Sequence, residues 1–146
     1  MARHGYSDYC DNSGGGLAMW RGQVASAMRG KRGQKFFVDL AAALDAMPEK
    51  RLVAGSLQRK DGDCCAIGCI ARAKGHDYTQ HEEDDEFELE ELNADLASVL
   101  DIAQCLVQET EYENDEGAYQ ETPEQRWTRM RKWCDKNINK PKSVQA

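Results

Sequence analysis

Three cysteines stand within six positions in "DGDCCAIGCI" (Asp61–Ile70), and histidines follow at 76 and 81. Read from Cys65, the run is C-x3-C-x6-H-x4-H, which offers the thiolate and imidazole donors that bind zinc. Cys65 and Cys69 are four apart, so a helix would set both thiols on one face. The spacing argues against a zinc finger. A finger leaves about 12 residues between its ligand pairs so that its helix can return to the metal. This chain has six there, and no C-x-x-C anywhere. Free cysteine is among the most buried residue types and packs as a small hydrophobe. The expectation is therefore that Cys64, Cys65, Cys69, Cys105 and Cys134 are core residues, with neither metal nor other cofactor.

A second constellation lies in "RHGYSDYCD" (Arg3–Asp11). His4, Asp8 and Asp11 flank Cys10, and "SGGG" follows with backbone N–H groups that could face an oxyanion. Nothing in the spacing ties the nucleophile to a base, and a glycine-rich opening is also the composition of a flexible lead-in. Enzyme chemistry is the weaker reading.

Charge supplies the third pattern. Residues 1–60 carry net +5, residues 61–122 net −17 and residues 123–146 net +5, which gives −7 for the 146-residue chain. The acids concentrate in "HEEDDEFELEEL", as Glu82, Glu83, Asp84, Asp85, Glu86, Glu88, Glu90 and Glu91. Acids at a helix start suit the partial positive charge there, but one or two suffice. The surplus repels itself unless a basic surface, on this chain or on a partner, relieves it. The basic counterpart is "MRGKRGQK" with Arg21 upstream. There Arg21, Arg29, Lys31, Arg32 and Lys35 offer phosphate contacts, and Gly30 and Gly33 allow close backbone approach.

The elements that must position these residues are mostly helical. "LAMWRGQVASAMRG" repeats apolar residues at three- and four-residue steps, with Ser13 placed as its cap, until Gly30 and Gly33 break the pattern. "QKFFVDLAAALDAM" is a second helix, ended by Pro48. "RLVAGSL" predicts a short strand, and the turn "KDGD" returns the chain to "CCAIGCI", so a hairpin running into a short helix stopped by Gly75 is expected. The longest helix is predicted from Phe87 through about residue 109, on Leu89, Leu92, Leu96, Val99, Ala103 and Leu106. "ETEYENDEGAYQE" reads as a polar connection. A capping box of Thr122, Pro123 and Gln125 opens the last helix, lined by Trp127, Met130, Cys134 and Ile138. The predicted fold is mainly α with an α+β element: about four to five helices and one small β-hairpin in a single compact domain over 1–146. Residues 1–16 are expected to be an irregular N-terminal segment, and 139–146 a flexible tail.

No stretch approaches the ~18 uninterrupted apolar residues of a membrane span. "MARHGYSDYC" lacks the apolar core of a secretory signal, which points to the cytoplasm and to reduced thiols.

Six stretches, "RHGYSDYCD", "WRGQVASAMRGKRGQ", "ALDAMPEKRL", "CAIG", "ENDE" and "ETPEQRW", together resemble a group of small uncharacterised proteins of tailed phages and prophages. The resemblance spans roughly half the chain. It implies a phage-encoded protein at work in a bacterial host cytoplasm, and it supplies no activity and no catalytic residues. With the charge pattern, the leading expectation is an inhibitor of anti-CRISPR or similar anti-defence type. Its acidic segment would bind a host protein with a basic nucleic-acid-binding surface, and Phe87, Tyr112 or Tyr119 would supply apolar anchors. The alternative is a small nucleic-acid-binding accessory protein that uses the basic cluster.

Overall fold

The computed structural model describes residue 3 and residues 16–81, 86–117 and 120–139. Among these the chain forms six α-helices and no strand: α1 (Gly16–Arg29), α2 (Lys31–Ala46), α3 (Ala66–Ala73), α4 (Glu86–Leu100), α5 (Gln104–Asp115) and α6 (Pro123–Asn137). No described helix is long and apolar enough to cross a membrane.

The central helix is α2. Phe36, Phe37, Leu40, Ala41 and Leu44 recur along it at helical spacing and are buried. It packs against α1, α3 and α6. Phe37 meets Trp133 of α6 edge to face at 5.1 Å, and Trp127 Nε1 donates to the Leu44 carbonyl at 3.1 Å. That bond satisfies one of the acceptors a helix end leaves open. Gly33, expected to interrupt the helical pattern, lies inside α2 at the crossing with α1. A Cβ there would sit 1.9 Å from the Ala27 carbonyl oxygen, so only glycine lets α1 and α2 approach so closely.

The expected hairpin is replaced by a looped segment. Between residues 51 and 65 only one antiparallel bridge, Gln58 to Cys64, joins the two arms around a turn at Gly62. A regular ladder does not extend from it, because several of the backbone groups are claimed elsewhere. The Leu52 N–H donates to the Pro123 carbonyl, and the Val53 carbonyl accepts from Asn114 Nδ2. The Leu52 carbonyl accepts from Arg126. The inward-facing Gln58 side chain bonds the carbonyls of Gly68 and His76 and the N–H of Tyr78. The segment is thereby stitched to α3, α5 and α6 as well as to itself, where the Val53, Arg59 and Cys65 N–H groups donate to the Cys64, Asp63 and Leu57 carbonyls, and the α+β assignment gives way to an all-helical one.

The predicted long helix is two helices. After Leu100 the chain turns at Asp101, whose φ of 54° is left-handed. The Ile102 N–H donates to the Ala97 carbonyl and the Asp101 N–H to that of Ser98. This is a Schellman ending with aspartate where glycine is usual, sealed by buried Ile102. Beyond it α5 runs to Asp115, through most of what reads as a polar connection. Its polar residues Thr110, Glu111 and Asn114 are buried. The last helix matches its sequence signature: Thr122 Oγ1 accepts from the Gln125 N–H, and Gln125 Oε1 accepts from that of Thr122.

The N-terminal irregular segment (Arg3 apart), the Ser13 cap and the tail beyond residue 139 lie outside the described residues.

Candidate functional site

The cysteine run opens α3. Cys65 is the N-cap, and its sulfur accepts from the Gly68 N–H at 3.4 Å and from Arg3 Nη1 at 3.2 Å. Burial pushes this thiol up to about 11 despite the nearby guanidinium, so it stays protonated at neutral pH. Cys64 and Cys69 lie on either side of the cap and are also buried, as is Cys134; Cys105 is half-buried. His76 is half-buried, and exposed His81 rests its ring 5.4 Å from that of Tyr78. Among the described residues no group of three or more His, Cys, Asp or Glu side chains is placed to hold a metal ion, so Cys65, Cys69, His76 and His81 do not converge.

A buried ionic node, which sequence reading missed, ties residue 3 to the centre of the fold. Arg3 is 5% exposed. Its Nε and Nη2 pair in two-pronged fashion with Asp115 at 2.9 and 2.8 Å, and Nη1 lies 3.5 Å from Glu111. Glu111 is 1% exposed. Asn114 reaches the Ala66 N–H and the Val53 carbonyl, while Arg126 donates to the Asn114 carbonyl at 2.9 Å. The only sequence signal was the pairing of Glu111 and Asp115 at helical spacing in "ETEYEND", an apparently polar stretch. Arg3 and Glu111 are closed to solvent and Asp115 is mostly so, which suits a structural role.

The acidic region is where an open surface lies. Residues 86–117 hold eleven Asp or Glu and no Lys, Arg or His, on the packed pair α4 and α5, their connection and the C-cap Glu116. Some of these acids are used internally: Glu111 and Asp115 by Arg3, Glu113 by Arg129, Asp101 by Arg32, and Asp95 by the Tyr78 hydroxyl at 2.6 Å. Glu90 and Glu91 are exposed and make no ion pair with a described residue. On α5, Tyr112 is 37% exposed, the only exposed aromatic among the described residues. Glu116, above all, raises its phenol, with burial and then Glu109 and Glu113 adding to the shift. Burial raises the Glu113 carboxyl, and Glu109 and Glu116 push the same way against Arg129. Like charges therefore crowd this face. Glu82, Glu83, Asp84, Asp85 and Tyr119 lie outside the described residues, as do the side chains of Glu86, Phe87 and Glu88.

The basic cluster occupies the α1–α2 corner. Arg21, Arg29 and Lys31 are exposed with no ion pair to a described residue. Arg32 reaches Asp101 at 3.3 Å with both side chains mostly in solvent, a pairing of little energetic weight. Lys35 is engaged by Asp39 at 2.6 Å. The start of α2 has no acid in its first turn and no side-chain cap. Cations thus stand at the positive end of a helix, opposite to what the macrodipole favours. His4, Asp8, Cys10 and Asp11 lie outside the described residues.

The fold thus presents two surfaces of opposite charge, an acidic α4–α5 face around Tyr112 and a basic α1–α2 corner, with the described cysteines largely folded into the core. Compared with protein-family models, curated proteins and solved structures, the chain matches none.

Proposed function

We propose that this is a binding protein that docks through the acidic α4–α5 face onto a basic nucleic-acid-binding surface of another protein, and so competes with nucleic acid. The observation that carries the reading is Tyr112: an exposed aromatic set among Glu109, Glu113 and Glu116, on a helix pair with no basic residue. Such a face combines the two parts of a charge-steered interface. The carboxylates speed encounter and select basic grooves, while an aromatic anchor holds the complex. With the resemblance to small phage proteins, the concrete form is a phage-encoded inhibitor of anti-CRISPR or similar anti-defence type, acting on a host machine in the bacterial cytoplasm.

The test begins with affinity capture from bacterial lysate after nuclease treatment. The captured protein is then purified, and its nucleic-acid binding is titrated with wild type and variants. The triple variant Glu90→Lys, Glu91→Lys, Glu116→Lys is expected to associate more slowly and with a flatter salt dependence, and Tyr112→Ala to dissociate faster. Undiminished inhibition by the triple variant would refute the acidic-face mechanism.

A second reading rests on the basic corner, where Arg21, Arg29 and Lys31 have no described ion-pair partner. It makes the protein a nucleic-acid-binding accessory whose affinity falls steeply with salt. Replacing Arg21, Arg29, Lys31 or Arg32 with alanine would then reduce the log–log slope by about 0.9 on duplex DNA for every phosphate left without its cation.

A further inference from the structure

The proposed function leaves one cleft unused. It measures about 440 Å³ and lies between the end of α2, the 61–63 turn and α3; Met47, Arg51, Asp63, Cys64, Cys69 and Arg72 are among its lining residues. Two thiols line it together for a definable reason. With Cys65 as N-cap, Cys64 is the residue before the cap and Cys69 the fourth residue of the helix. Those are the positions that meet in a hydrophobic staple, so the pair in "CCAIGC" is a staple built from thiols.

A guanidinium stands beside them. Arg72 Nη1 is 3.8 Å from Cys64 Sγ and is held by the Gly62 carbonyl at 2.9 Å. Cys65 and Cys134, by contrast, are absent from the cleft lining and are pushed up by burial to about 11 and about 12.

We propose that Cys64 and Cys69 form a dithiol site that hydrogen peroxide oxidises to an intramolecular disulfide. The Cys64 thiolate attacks a peroxide oxygen, the O–O bond breaks and hydroxide leaves, giving Cys64 sulfenic acid. The Cys69 sulfur then attacks Cys64 sulfur. The S–O bond breaks and water leaves with the Cys69 proton. The two thiols are oxidised by two electrons and the peroxide is reduced to water, so no other reagent is needed.

The order of roles follows from the local charges. The Arg72 guanidinium, 3.8 Å from Cys64 Sγ, favours a thiolate there. The neighbouring Cys69, against burial and with help from Arg72, holds the Cys64 thiol below its ordinary range, whereas Cys64 and burial raise Cys69. With the guanidinium beside it, Cys64 is the attacking sulfur and Cys69 the resolving one. Once Cys64 is a neutral sulfenic acid, the charge that kept Cys69 protonated is gone.

The experiment treats the folded full chain with hydrogen peroxide, blocks remaining thiols in denaturant, and sequences tryptic peptides by mass spectrometry. Cleavage after Lys60 and Arg72 releases Asp61–Arg72 with all three cysteines. The expected product is two hydrogens lighter, with the link between Cys64 and Cys69 and with Cys65 still free to be alkylated. In Cys69→Ser, dimedone should trap a sulfenic acid on Cys64; in Cys64→Ser, Cys69 should stay reduced. A link through Cys65 would overturn the proposal. So would an unchanged wild-type peptide at peroxide levels that oxidise free glutathione, a readout that needs no variant to fold.

Discussion

Replacing Arg3 with methionine removes the guanidinium while keeping an unbranched apolar stem. It leaves two carboxylates in place: Glu111, whose side chain is 2% exposed, and Asp115, whose side chain is 19% exposed. Breaking a buried ion pair by deleting one partner costs about 3–5 kcal/mol, because the remaining charge is stranded. Asp115 still accepts from the Gly55 N–H at 3.0 Å and from Asn114 Nδ2 at 2.9 Å, which places the expected loss near the lower figure, about 3 kcal/mol. At roughly 3–4 °C per kcal/mol for a chain of this size, the melting temperature should fall by about 10 °C. Urea titration followed by circular dichroism measures the loss directly. Adding Glu111→Gln to Arg3→Met should recover part of it, since the stranded charge is then removed. Acid completes the test. Burial alone would raise the Asp115 carboxyl, but the Arg3 hydrogen bonds outweigh it and hold the group below its ordinary value. A depressed carboxyl contributes stability that is fully present above its unfolded pKa, about 3.9. That stability is lost as pH falls through the lower folded value. Wild type should therefore lose stability more steeply than Arg3→Met below about pH 4. A loss under about 1 kcal/mol at neutral pH, with identical acid profiles, would refute the buried-node account.

Two further substitutions probe the backbone. Gly68→Ala would place a Cβ 1.8 Å from the Leu57 carbonyl oxygen, so α3 and the 51–58 segment must separate; thermal melts should show a loss of at least about 3 kcal/mol. Asp101→Gly should instead stabilise the fold by roughly 0.5–1 kcal/mol, because glycine adopts the left-handed conformation freely and the exposed pair with Arg32 adds little. A destabilised Asp101→Gly protein would mean that the aspartate side chain, rather than the turn geometry, holds α4 and α5 at their angle.

The helices with one continuous apolar stripe and chemical punctuation were legible in advance. Pro48 ends α2, Gly75 follows α3, and Thr122 with Gln125 opens α6. The α4–α5 break was not, because Leu96, Leu100, Ala103 and Leu106 keep helical spacing across it and its left-handed residue is an aspartate. The false strand at "RLVAGSL" came from reading local preference where the Leu52 and Val53 carbonyls find their partners in α6 and α5, more than fifty residues away. The node was hidden for the opposite reason. Charged and amide side chains normally mark surface, and "ETEYEND" discloses its inward face only when Arg3 and Arg126 are seen to fill it. Of the acidic surface, the composition was plain, but the placement of Tyr112 among three glutamates depends on α5 extending to Asp115. The basic residues, read as the end of the first helix, straddle two helices instead, because α2 begins at Lys31 and takes in Gly33.

The distance along the chain between Arg3 and Asp115, 112 positions, has a consequence for synthesis. At about 5–20 residues per second, the ribosome makes the cation roughly 6–20 s before the anions that will enclose it. Through that interval α1–α3 have no α5 to pack on, and the Ala66 N–H and the Val53 and Leu52 carbonyls await Asn114 and Arg126. The first two-thirds of the chain therefore emerges with these buried polar groups lacking their partners, which only α5 and α6 supply.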